Sequence, residues 1–174
     1  MSGFSTKICI LGDFAVGKTS TAERFVNNQF SEKYLTTIGV KVDTKDLQLE
    51  DGLALKMVLW DVAGTDRFGE LEFSYLRGAS GYIFVADGTR SDTVATVREL
   101  RQQSEERYGP LPYVLLLNKS DLNADWAVKP EQEQELRDDF GDVFVTSAKT
   151  GDNVEAAITC LGRAIAAREF SSDS

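Results

Sequence analysis

A chain of 174 residues with 42% hydrophobic content fits one domain around a single buried core, without help from disulfides. The net charge of -9 disfavours nucleic-acid backbones and anionic membrane surfaces as partners and points to a protein or a small molecule. The absence of histidine removes the commonest general base, the commonest zinc ligand and the ordinary pH switch.

The N-terminus MSGFSTK has neither an apolar signal core nor glycine at position 2, and no window approaches the ~18 apolar residues of a membrane span, so a cytoplasmic protein is expected. KICIL (7–11) predicts a short buried strand that feeds a glycine-rich loop and then a helix from Lys18 to about Asn27. After the polar stretch NNQFSEKYLTT, residues 40–50 and 54–61 predict two strands around Asp51-Gly52, a hairpin signal. GYIFVAD (81–87), YVLLLN (113–118) and DVFVT (142–146) are continuous apolar runs of the kind covered on both faces. Ser91-Asp92 is expected to cap a helix running to about Tyr108, and Pro130 suits the first turn of the next. In the last helix, Val154, Ile158, Leu161 and Ile165 recur at core-facing spacing. Cys9 and Cys160 fall in separate apolar segments, which predicts buried thiols and no bridge. Strand-helix alternation with one hairpin predicts an α/β fold: a mostly parallel six-stranded sheet with one antiparallel edge strand and helices on both faces. Ligands of such sheets sit at the carboxyl ends of the strands.

The loop after the first strand, GDFAVGKT (12–19), has the spacing G-x-x-x-x-G-K-[ST]. Backbone N-H groups can curl around phosphate oxygens there, Gly17 permits close approach, Lys18 neutralises the outer phosphates and Thr19 offers a hydroxyl to magnesium. Asp61 ends the run KMVLWD, where an acid can support the hydrated metal opposite Thr19, and Gly64 can bring its N-H to a terminal phosphate. NKSD (118–121) ends another strand. A carboxylate such as Asp121 accepts two hydrogen bonds from guanine that adenine cannot supply, with Asn118 bracing the loop and Lys119 lying along the base. TSAK (146–149) ends the last strand.

From KICILGDFAVGKTS through WDVAG and NKSD to TSAKTGDNV, the chain resembles a small GTPase of the Ras superfamily, most like the Rab branch, over nearly its whole length. IGV (38–40) and SYLRGA (74–79) carry the resemblance to that branch. It implies a three-layer Ras-like fold over residues 1–174, a Mg2+ ion, and GTP and GDP as ligands of a molecular switch. Implied nucleotide contacts are Phe14, Ala15, Val16, Gly17, Lys18, Thr19, Ser20, Phe30, Tyr34, Thr37, Gly64, Asn118, Lys119, Asp121, Ser147, Ala148 and Lys149. Among these, Ala148 would give its N-H to the guanine oxygen and Phe30 would pack beside the base. Implied metal residues are Thr19, Thr37 and Asp61, and implied catalytic residues are Lys18, Thr37, Gly64 and Thr65. Switch I would span about 31–40 and switch II about 62–76, the surfaces for effectors, exchange factors and activating proteins on a monomer.

Four departures from the family pattern stand out. Thr65 occupies the place where most relatives have a glutamine that orients the attacking water, so slow unassisted hydrolysis is expected, the alternative being that another group, or a partner's glutamine or arginine, supplies the missing contact. Phe14 and Ala15 replace small residues or glycine in the phosphate loop, and the ring either obstructs a partner's arginine or packs against switch II. The 174 residues end at FSSDS just after the last helix, so either a longer tail follows or no direct lipid anchor is expected and membranes are reached, if at all, through partners. Lys41-Val42 stand where Rab relatives have acid-Phe, while Trp60 and Tyr75 remain as aromatic contacts for effectors, so a different partner set is expected. Arg67 and Arg77 match structural positions of the family, not built-in arginine fingers. Two rivals stay open: a GTP-locked binding module with little turnover, and a phosphate-loop ATPase or small-molecule kinase, which NKSD and SAK oppose.

Overall fold

The computed structural model describes residues 4–13, 16–26, 33–35, 40–49, 52–62 and 73–172. In chain order the strands are β1 (Phe4–Gly12), β2 (Lys33–Leu35), β3 (Lys41–Gln48), β4 (Ala54–Asp61), β5 (Gly81–Asp87), β6 (Tyr113–Asn118) and β7 (Val143–Val145). The helices are α1 (Lys18–Val26), α2 (Asp92–Tyr108), α3 (Pro130–Phe140) and α4 (Val154–Ser172). The strands form one sheet in the order β2-β3-β4-β1-β5-β6-β7. β1 pairs in parallel with β4 and β5, and β5, β6 and β7 continue in parallel. β3 runs antiparallel to β4 through the expected hairpin, where Gly52 takes φ 76°.

The six expected strands are all present, and β2 adds a three-residue seventh strand antiparallel to β3, Tyr34 opposite Val42. So short a strand in a polar stretch has no periodicity to reveal it; its partner creates it. β1 likewise starts at Phe4, ahead of its apolar run, because Phe4, Ser5 and Thr6 find partners in Leu55, Lys56 and Met57.

Alternation along the central strands loads both faces. Ile8 and Ile10 of β1 join Phe25 of α1 and Val154, Ile158, Leu161 and Ile165 of α4 in one core. Cys9 and Leu11 join Val97 and Leu100 of α2 and Leu136 and Phe140 of α3 in the other. Every residue of β5 is buried, as its unbroken apolar run predicts. The layers are therefore α1 and α4, the sheet, then α2 and α3.

Pro130 takes the first turn of α3, where its missing N-H costs nothing. Ser91 does not cap α2: its backbone is already helical, φ -64° and ψ -25°, and its side chain makes no capping bond. Thr93 holds this turn instead, its hydroxyl donating to the Arg90 carbonyl at 2.6 Å and accepting the Asp87 N-H at 2.9 Å. Both cysteines are free, Cys9 buried and Cys160 half-buried.

Chain order reverses across β1: β4 lies on one side and β5 on the other. The loops after β1, β5 and β6 thus converge at the carboxyl edge, where a crevice opens.

Candidate functional site

The phosphate loop leaves β1 at Gly12 and enters α1 at Lys18. Gly17 has φ 105°, and a Cβ there would lie 2.2 Å from Asn118 Nδ2, so the position requires glycine twice over. Lys18 is buried, its ammonium donating to the carbonyls of Gly12 at 3.3 Å and Asp13 at 3.1 Å. Burial lowers its pKa, while Asp61 and Asp13 act in the opposite direction. A buried ammonium held by two backbone carbonyls can exchange them for phosphate oxygens, which are stronger acceptors. The Thr19 hydroxyl donates to Asp61 Oδ2 in a close contact, joining residues 42 positions apart. A hydroxyl and a carboxylate beside a phosphate loop form a hard oxygen donor set that fits Mg2+. Among the described residues no cluster of three or more His, Cys, Asp or Glu could hold a metal alone. Phosphate and water oxygens would have to complete such a site.

Asn118, 2% exposed, ties this half to the other. Its Nδ2 donates to the Val16 carbonyl at 3.0 Å, and its Oδ1 accepts from the Ala148 N-H at 3.0 Å and the Thr146 hydroxyl at 3.3 Å. The expected brace is therefore present and reaches two loops. The Ala148 N-H, expected to face a guanine oxygen, is already donated to Asn118, so a base carbonyl would share it. Ser147 is fully buried, and its hydroxyl donates to Asp121 Oδ1 at 2.7 Å while accepting the Thr150 N-H at 3.1 Å. That bond fixes one Asp121 oxygen and orients the carboxylate. Lys119 has φ 72° and pairs with Asp87 at 3.0 Å.

Part of this set opens on a cleft of about 470 Å³, a size suited to a small molecule, while Lys18, Thr19, Asp61 and Ser147 are not among its lining residues. Gly17, Ser20, Asn118, Lys119, Asp121, Ala148 and Lys149 line it, joined by Glu23, Arg24 and Leu122. Val16 does not line the cleft: its side chain is buried in the core and its carbonyl accepts from Asn118. Tyr34 lies in β2, where the described geometry is that of the backbone. Phe14, Ala15, Phe30, Thr37, Gly64, Thr65 and Arg67 lie outside the described residues, as does most of both predicted switch spans.

Arg24 and Asp87 escaped the sequence reading. Arg24 Nε donates to the Ala148 carbonyl at 2.9 Å and Nη2 to that of Lys149, so α1 grips the TSAK loop directly. An arginine on a helix surface carries no distinguishing signal. Asp87 ends an apolar strand just as Asp61 does, and the same logic could have found it. At the predicted effector surface, Lys41 pairs with Glu23 at 2.7 Å and Val42 is buried. Trp60 packs partly against the second core and lies 3.9 Å beneath the Lys7 ammonium.

The Ras family profile matches residues 7–167. The chain is 35% identical over 162 residues to the Ras-related protein Rab-32 of Homo sapiens, covering 89% of this chain and 72% of that one. It is 35% identical over 164 residues to the Ras-related protein Rab-8A of Gallus gallus, covering 93% and 79%. With the Ypt/Rab-type GTPase YPT7 of Saccharomyces cerevisiae the identity is 34% over 168 residues, covering 90% and 79%. No helix among the described residues is long and apolar enough to cross a membrane. Crevice, motifs and similarity agree: the chain belongs to the Ras family and is a Rab-like, GTP-binding small GTPase.

Proposed function

We propose that residues 1–174 form one GTPase domain that binds GTP and GDP with Mg2+ in this cleft and hydrolyses GTP slowly without a partner. The observation that carries the reading is Asn118, which holds the phosphate loop and the TSAK loop around one cavity. The phosphates lie along the loop amides and Lys18, and the base lies between Lys119 and Phe30 with its N-H groups on Asp121. Thr19 and Thr37 would hold the metal directly, with Asp61 supporting it through water or at longer range, and the metal would supply neutralisation of charge on the phosphate oxygens.

Hydrolysis is in-line attack of water on the terminal phosphorus, with the bridging oxygen leaving to GDP. Lys18, the loop amides and the Gly64 N-H stabilise the charge that develops, since positioning and electrostatics carry most of this chemistry. Thr65 cannot span the distance that a glutamine amide would to orient the water. Thr65→Gln should therefore raise single-turnover hydrolysis of preloaded GTP with Mg2+. A parent rate equal to or above that of the variant would show that another group positions the water. Thr65 and Phe14 also favour a second reading, a GTP-locked recruiting module, and a parent that is inert in that assay selects it.

Partners are effectors, exchange factors and activating proteins that bind the two switch spans. The Lys41-Glu23 pair and buried Val42 support a partner set different from that of relatives with acid-Phe at those positions. A chain that bound ordinary Rab effectors in its GTP form would refute this. Displacement of bound GDP by GTP but not ATP tests the base assignment.

A further inference from the structure

Asp87 closes β5 opposite Asn118 of β6 and is 1% exposed. Its carboxylate accepts the Thr89 N-H at 2.8 Å, the Thr89 hydroxyl at 2.6 Å and Arg90 Nε at 3.0 Å, and the Lys119 ammonium lies 3.0 Å away. The turn beneath it is fixed. The Gly88 N-H donates to the Asn118 carbonyl at 3.0 Å, and the Gly88 carbonyl accepts the Ala127 N-H at 2.7 Å. The Trp126 ring fills the space that a Gly88 side chain would occupy, 2.0 Å from an ideal Cβ.

Thr89 and Arg90 already supply a buried carboxylate with a cation and two further donors, so Lys119 is not required to neutralise it. The benefit runs the other way. Lys119 is half-buried on the cleft wall in a positive-φ conformation, an arrangement that persists only where its surroundings enforce it. A lysine stem free at its tip samples many rotamers; one whose tip is held does not.

We propose that Asp87 is a positioning residue of the base site, anchoring the Lys119 ammonium so that the lysine stem stands as a preformed wall for the base. This rests on the reading that the cleft holds guanine. The test is a double-mutant cycle on the full chain loaded with fluorescent GDP and Mg2+, using Asp87→Asn and Lys119→Met, which keeps a stem without the ammonium. Asp87→Asn should speed GDP release roughly tenfold, the loss of one partly exposed charge-assisted hydrogen bond. In the Lys119→Met background the same change should add little. Equal acceleration in both backgrounds, or none in either, overturns the proposal.

A measurement on the unaltered chain stands apart from the variants' folding: side-chain order parameters of Lys119 in the GDP-bound protein should mark a rigid stem. Values like those of fully exposed lysines overturn the proposal. If the parent does not prefer GDP to ADP, the guanine reading falls and the proposal with it. If it does prefer GDP and the cycle shows no coupling, the proposal alone falls.

Discussion

Gly17→Ala tests the close approach of the phosphate loop to Asn118. The backbone there has φ 105°, and the new methyl would meet Asn118 Nδ2 at 2.2 Å. Forcing an L-residue into such a conformation costs about 1–2 kcal/mol. Asn118 must also turn away, giving up its 3.0 Å bond and leaving the buried Val16 carbonyl unpaired, about 1–3 kcal/mol more. The free protein can relieve much of this by letting the loop relax, so the cost returns when a nucleotide demands the loop in place. The sum, roughly 2–5 kcal/mol, corresponds to a loss of about 30-fold to several thousand-fold in GDP affinity. Titration with fluorescent GDP in Mg2+ buffer measures it. Gly52→Ala is the control: Gly52 has φ 76° but nothing within 4 Å of the added Cβ, so it should lower stability by roughly 1 kcal/mol and leave GDP affinity unchanged. A Gly17→Ala affinity within threefold of the parent would refute the argument that this contact holds the two loops in register.

Arg24→Ala removes two charge-assisted bonds from α1 to the TSAK loop. Discounted for partial exposure these contribute about 1–2 kcal/mol, so GDP release should accelerate roughly 5- to 30-fold, and Arg24→Lys should fall between. Unchanged release in a stopped-flow chase would refute this. Burial alone would raise the Asp87 pKa, but bonds from Thr89, Lys119 and Arg90 outweigh it and hold the carboxyl at about 2, below its usual 3.8. In that window the unfolded chain takes up the proton first, so this contribution to stability is full above pH 3.8 and is lost as pH falls toward 2. Acid titration of Asp87→Asn should be less steep there, and an identical slope would refute the pairing. Cys9 is fully buried and its thiol is pushed up to about 12 by burial, against the opposing charge of Lys7. Mass spectrometry after brief alkylation at pH 8 should show Cys9 unmodified in the native chain and modified after denaturation.

Much of the site was legible in local sequence because its parts are short loops that each follow an apolar strand. The spacing of Gly12, Gly17, Lys18 and Thr19 marks a phosphate-loop motif, and the runs ending in Asp61 and Asn118 place an acid and the NKSD loop at the same sheet edge. Burial on both faces made β5 and β6 readable from composition alone, and the α4 stripe was readable from spacing. What stayed hidden depends on contacts between residues far apart in the chain. β2 exists because β3 offers it an edge. Ser91 is displaced as a cap by Thr93 because the turn at Asp87 sets that hydroxyl against two backbone groups. Arg24 reaches Ala148 across 124 residues, and Asp87 meets Lys119 only because β5 and β6 lie in register. The sequence by itself determined which chemical groups this chain offers at one sheet edge, a glycine-rich loop with phosphate-loop spacing and the carboxylates of Asp61 and Asp121. Only the tertiary structure decided which side chains hold those groups still, because an order-producing contact is a property of two distant residues and neither one announces it alone.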